Sequence, residues 1–122
     1  MSTRRLVIAV IDDDPGILES MGLLLSSFGY ETELYASAEG FLSAAAVCKA
    51  SCLVVDIQLG HGCGFELVRQ LAQTGFEFPV IFVTASDDES VQRRAIEAGC
   101  VAFLRKPFSA KLLIEALAKT GP

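Results

Sequence analysis

Two periods of apolar residues alternate along the chain. Residues 6–11 (LVIAVI) form an unbroken apolar run, which predicts a strand buried on both faces of a parallel sheet. Asp14 and Pro15 then read as a helix N-cap and first helical position. Ile17, Leu18, Met21, Leu24, Leu25 and Phe28 follow at helical spacing until Gly29 supplies a stop. The unit then repeats. Residues 31–35 make a more polar, alternating strand suited to a sheet edge, and Ser37 caps a second helix running to about Cys48. Residues 52–55 are a third strand ended by Asp56, and Phe65, Leu67, Val68 and Leu71 mark a third helix closing near Gly75. Residues 79–83 are a fourth strand ended by Thr84, after which Ser86 and Glu89 form a capping box for a helix that stops at Gly99. Residues 101–104 are a fifth strand, and Ser109 caps a last helix through Leu112, Leu113, Ala116 and Leu117.

Five strand–helix units in alternation imply a doubly wound α/β domain: a five-stranded parallel sheet with right-handed crossovers and helices on both faces. At 122 residues, 52% of them hydrophobic, the chain can bury one core and no more, so residues 1–122 are expected to be one domain without an output domain. A net charge of −5 argues against direct contact with nucleic acid, which needs clustered Lys and Arg. No apolar run approaches the roughly 18 residues of a membrane span, and residues 1–5 do not lead into a secretion signal; the cytoplasm is the expected compartment. Cys48, Cys52, Cys63 and Cys100 lack the paired spacing of a zinc site and read as thiols in a reducing compartment.

The polar residues that interrupt this pattern fall at one kind of place. Asp12 and Asp13 follow the first strand, Asp56 follows the third, Thr84 ends the fourth and Lys106 follows the fifth. These are all C-terminal strand ends, where open α/β sheets hold their ligands. Three carboxylates at one rim repel each other unless a cation joins them or their pKa values rise. All-oxygen ligands favour a hard ion such as Mg²⁺, which binds through few carboxylates together with a phosphate. On this reading Lys106 does not replace the ion but balances an anion that arrives later.

The acidic pair Asp12-Asp13, the Val54-Val55-Asp56 strand end, Thr84-Ala85 and Lys106-Pro107-Phe108, in that order, resemble the receiver domain of two-component response regulators, which has a CheY-like fold with strand order 2-1-3-4-5. The resemblance runs from Val7 to about Ala118. It implies that Asp56 accepts a phosphoryl group from a sensor histidine kinase or phosphotransfer protein, and that Asp12, Asp13, Asp56 and the backbone carbonyl of Gln58 hold Mg²⁺. Lys106 and Thr84 would meet phosphoryl oxygens, the small Ala85 would leave the approach to Asp56 open, and Phe103 would change rotamer as Thr84 moves. The family's Lys-Pro peptide is often cis. The implied output is a change on the fourth-strand, fifth-strand and helix 4–5 surface that controls a partner or a missing output domain, with a homodimer as one option. Such a domain is a switch that catalyses only its own phosphoryl transfer and slow dephosphorylation.

The chain departs from the family at Gly60, where a proline is usual; with His61, Gly62 and Gly64 it suggests a softer loop after Asp56. Three other classes stand beside the receiver. A flavin module would need a Gly/Ser/Thr-rich phosphate loop where this chain has Asp-Asp-Asp-Pro. A haloacid-dehalogenase-type phosphatase would use Asp12-x-Asp14, but Pro15 and Gly16 break its continuation. A phosphorylation-independent adaptor would draw only on the Gly60 loop.

Overall fold

In the computed structural model, residues 6–60 and 62–119 are described. The main sheet comprises β1 (Val7–Ile11), β2 (Glu31–Tyr35), β3 (Cys52–Asp56), β4 (Val80–Thr84) and β5 (Ala102–Arg105). They lie in the spatial order β2-β1-β3-β4-β5, and every pairing is parallel. The helices are α1 (Pro15–Ser27), α2 (Ala38–Ala44), α3 (Gly64–Gln73), α4 (Glu89–Glu97) and α5 (Ala110–Ala118). The expected doubly wound α/β architecture and strand order are both present. β2 occupies an edge, as its polar alternation requires.

The period of two along each central strand divides its side chains between two cores. Ile8, Val10, Cys52, Val54, Ile81 and Val83 pack with Leu18, Met21 and Leu25 of α1 and Leu113, Ala116 and Leu117 of α5. Ala9, Ile11, Leu53, Val55, Val80 and Phe82 pack on the other face with Phe41 of α2, Leu67 and Leu71 of α3, and Ala95 of α4. Burying apolar area at about 25 cal/mol per Å² is the main driving term for this layering.

The helix ends follow from local chemistry. Asp14 caps α1 by accepting from the Gly16 and Ile17 N–H groups, Ser37 caps α2 through Gly40 N–H, and Ser109 caps α5 through Leu112 N–H. Two expectations are corrected. The second helix does not stay α-helical to Cys48: it tightens to a 3-10 turn at Ala45–Val47, whose cap bond runs from Cys48 N–H to Ala45 C=O. Ser86 does not cap α4: Asp88 does, accepting from Ser90 N–H at 2.9 Å, while Ser86 Oγ accepts from Asp88 N–H at 3.1 Å. The chain leaves β4 through consecutive side-chain turns, which delays the helix by one step. The sequence pattern also omitted a two-strand hairpin, Gln58–Leu59 with Gly62–Cys63, lying between β3 and α3.

Candidate functional site

The rim at the C-terminal ends of β1, β3 and β5 brings together residues far apart in sequence. Asp12 sits one residue past β1 and is buried; Asp56 closes β3 and is buried. Lys106, just past β5, donates from Nζ to Asp12 Oδ2 and to Asp56 Oδ2, both at 3.0 Å. Its placement is set by the sheet, since the Lys106 N–H donates to Thr84 C=O at 2.7 Å and continues the β4–β5 ladder. The following Lys106–Pro107 peptide is cis. The ammonium therefore already joins two carboxylates, in addition to the later anion it is expected to balance.

The remaining oxygens are also oriented. Asp56 Oδ1 accepts from Gln58 N–H at 3.0 Å, and Asp12 Oδ1 accepts from Asp14 N–H at 2.9 Å. One carboxylate oxygen from each of Asp12, Asp13 and Asp56 lies within 4.8 Å of the others, with Asp13 exposed. This set is made only of hard oxygen donors at a spacing one ion can span, so the residues fit a hard divalent cation. Burial, chiefly, together with the Asp12 charge, raises the Asp56 carboxyl above its ordinary value, against the pull of Gln58 N–H and Lys106. Burial pulls Lys106 down, but its bonds to Asp12 and Asp56 outweigh that and raise it overall. The two shifts have different origins: burial dominates at the Asp56 carboxyl, whereas the two carboxylate partners dominate at the Lys106 ammonium.

Thr84 is fully buried at the end of β4, its Oγ1 accepting from Ser86 N–H at 3.1 Å. Ala85 is exposed and lines a groove with Asp14, Ile17, Met21, Lys106 and Phe108. Phe103 is half-buried on β5, in register with Phe82 and on the α2/α3/α4 face. Gln58 stands in the hairpin after Asp56, and His61 lies outside the described residues.

One residue was missed. Gly64 N–H donates to Ile57 C=O at 2.8 Å, and a Cβ at Gly64 would stand 2.6 Å from Asp56 O and 2.9 Å from Val55 Cγ1. Only a glycine lets α3 begin directly against the backbone that carries Asp56. The stretch expected to be soft is thus tied to β3 at this point. The available signal was the absence of a capping side chain: Cys63 occupies the N-cap of α3 and makes no side-chain cap bond.

The pattern of the response regulator receiver domain matches residues 8–118. The response regulator protein TodT of Pseudomonas putida is 35% identical over 117 residues, covering 96% of this chain and 52% of TodT. The transcriptional regulatory protein FixJ of Rhizobium meliloti is 30% identical over 112 residues, covering 92% of this chain and 55% of FixJ. The crystal structure of FixJ-N superposes with a TM-score of 0.89 at 29% identity, covering 97% of this chain and 94% of that one. The chain belongs to the response regulator receiver family. Members of this family are signalling switches of two-component systems that work with sensor histidine kinases, and they are not enzymes of the ordinary kind. The chain spans about half the length of the curated relatives it matches, at 52% of TodT and 55% of FixJ. Among the described residues no helix is long and apolar enough to cross a membrane.

Proposed function

We propose that Asp56 accepts a phosphoryl group from a phosphohistidine on a sensor kinase or phosphotransfer protein, and that the resulting aspartyl phosphate switches the surface around β4, β5, α4 and α5. The observation that carries this reading is the buried Asp56 carboxylate held between Gln58 N–H and Lys106 Nζ, at 3.0 Å from each.

The chemistry follows from that geometry. An Asp56 oxygen forms the new P–O bond as the donor's P–N bond breaks, its electron pair leaving on the imidazole nitrogen. Phosphoryl transfer asks mainly for positioning and for neutralised charge. Gln58 N–H and the β3 backbone hold Asp56 in one orientation, and Lys106 is close enough to follow a phosphoryl oxygen. Asp12, Asp13, Asp56 and the Gln58 carbonyl would hold Mg²⁺, which when bound supplies positive charge to the transferring group. Ala85 keeps the approach clear, and the Thr84 hydroxyl exchanges its Ser86 N–H partner for a phosphoryl oxygen. Phe103, on the same face as Thr84, then repacks. Moving such a switch from mostly off to mostly on takes about 5 kcal/mol, within reach of a few charge-assisted hydrogen bonds.

The downstream target is a protein or a further segment of a longer regulator, and FixJ's name as a transcriptional regulator favours a transcriptional output. Ile96 on α4 and Leu112 on α5 are 63% and 50% exposed, which supports a protein contact there, including a homodimer. The thiols of Cys48, Cys63 and Cys100 suit the cytoplasm. Intact mass after incubation with Mg²⁺ and acetyl phosphate tests the acceptor. One phosphoryl adduct that needs Mg²⁺ and is lost in Asp56→Asn is expected. No adduct under any condition, or an adduct that survives in Asp56→Asn, overturns the assignment.

A further inference from the structure

Gly60 closes the hairpin that follows Asp56 and has a φ of +60°. A Cβ built there would stand 3.2 Å from Asp13 Oδ2. Gly29, Gly75 and Gly99 also have positive φ, at +89°, +87° and +81°, yet a Cβ at any of them would meet nothing within 4 Å. An L side chain strains the backbone at all four positions. Only at Gly60 would it also press on a carboxylate of the acidic cluster.

We propose that Gly60 is a positioning residue for Asp13: its missing side chain keeps open the place the Asp13 carboxylate takes as a ligand. This rests on the Mg²⁺ site proposed above. The loop is the less yielding partner in that contact, because Leu59 is buried and Gln58 and Leu59 pair with Cys63 and Gly62. Asp13 is exposed, so its carboxylate can retreat with little effect on folding. A retreat of a few tenths of an ångström still matters to Mg²⁺, which demands near-octahedral ligands at about 2.0–2.1 Å. Beyond the backbone strain shared by all four positions, the contact of a side chain at position 60 with Asp13 therefore falls on ion affinity. Proline, whose ring holds φ near about −65°, is incompatible with this hairpin altogether.

Calorimetric titration with Mg²⁺, paired with thermal melts in its absence, tests the proposal on wild type, Gly60→Ala and Gly75→Ala. Gly60→Ala is expected to bind Mg²⁺ about tenfold more weakly, the scale on which outer supports of metal ligands act. Gly75→Ala is expected to melt earlier by a similar amount yet bind Mg²⁺ as wild type does. Gly60→Asn, whose backbone enters the left-handed region more readily, keeps the test open should alanine unfold the loop, and is expected to show the same weakened affinity. Wild-type affinity in Gly60→Ala or Gly60→Asn, or an equal loss in Gly75→Ala, overturns the positioning role alone. Absence of Mg²⁺ binding by the wild type instead overturns the metal site, and the role of Gly60 with it.

Discussion

Two regions of this molecule hold carboxylates away from bulk water and treat them differently. At the sheet edge, Glu33 Oε1 accepts from Tyr35 OH at 3.0 Å and from Cys48 Sγ at 3.2 Å. Burial first, and the contact with Glu33 second, push the Tyr35 phenol up to about 12, and burial likewise raises the Cys48 thiol. Both donors stay protonated, so one charge is answered by neutral hydrogen bonds and the group is complete. At the rim, Asp12 and Asp56 share a single ammonium, and Asp13 stands beside them. A carboxylate kept for structure can be satisfied by neutral donors, whereas the rim retains a surplus of negative charge that a cation can relieve.

The comparison can be broken first at its backbone support. Gly64→Ala forces a Cβ against Asp56 O and is expected to destabilise the fold by about 3 kcal/mol, the upper range for overpacking. Urea unfolding measures the loss, and a change under about 0.5 kcal/mol would show that α3 can shift freely. Next, Lys106→Met leaves Asp12 and Asp56 facing each other unpaired. Because the lysine side chain is 20% exposed, the loss should be about 2 kcal/mol, below that of a fully buried pair. Added Mg²⁺ should return more stability to this variant than to wild type, and equal gains would contradict the charge surplus.

A smaller effect is expected from Asp56→Asn. Burial and Asp12 raise the Asp56 carboxyl, so the folded protein holds that proton more tightly than the unfolded chain does. Its contribution favours the fold at acid pH and is lost as pH rises through the folded value. The variant should therefore be more stable than wild type near neutral pH, with the gap closing as pH falls into the carboxylate range. A gap independent of pH would mean that charge is not its cause. The smallest effect belongs to the edge: Glu33→Gln should change stability by no more than about 1 kcal/mol. It should also let Tyr35 ionise at lower pH than in wild type, read by tyrosinate absorbance.

Much of this was legible in the sequence because strand ends are legible. The runs in residues 6–11, 52–55 and 79–83 carry their own period, and Asp12, Asp56 and Thr84 are fixed by adjacency to them. Parallel pairing then placed Lys106 on the same rim. What stayed hidden depends on contacts with no local period. The Gln58–Leu59 and Gly62–Cys63 hairpin has two residues per strand, too short for any alternation to register. Gly64 looked like slack because its neighbour, the β3 backbone, is visible only after folding. Ser86 and Asp88 are both good caps by type, and in the fold Ser86 Oγ accepts from Asp88 N–H, leaving Asp88 to meet the helix's own N–H at Ser90.

The alternation of the central strands acts as insulation. Thr84 follows Val83, which faces α1 and α5, so Thr84 shares the opposite side with Phe82, and with Phe103 and Arg105 through the β4–β5 register. Thr84 therefore stands on the side of the sheet covered by α2, α3 and α4, and is joined to the layer of α1 and α5 through the shared backbone. The sheet is a partition between two packed layers, and the period of two decides on which side each strand-end side chain stands.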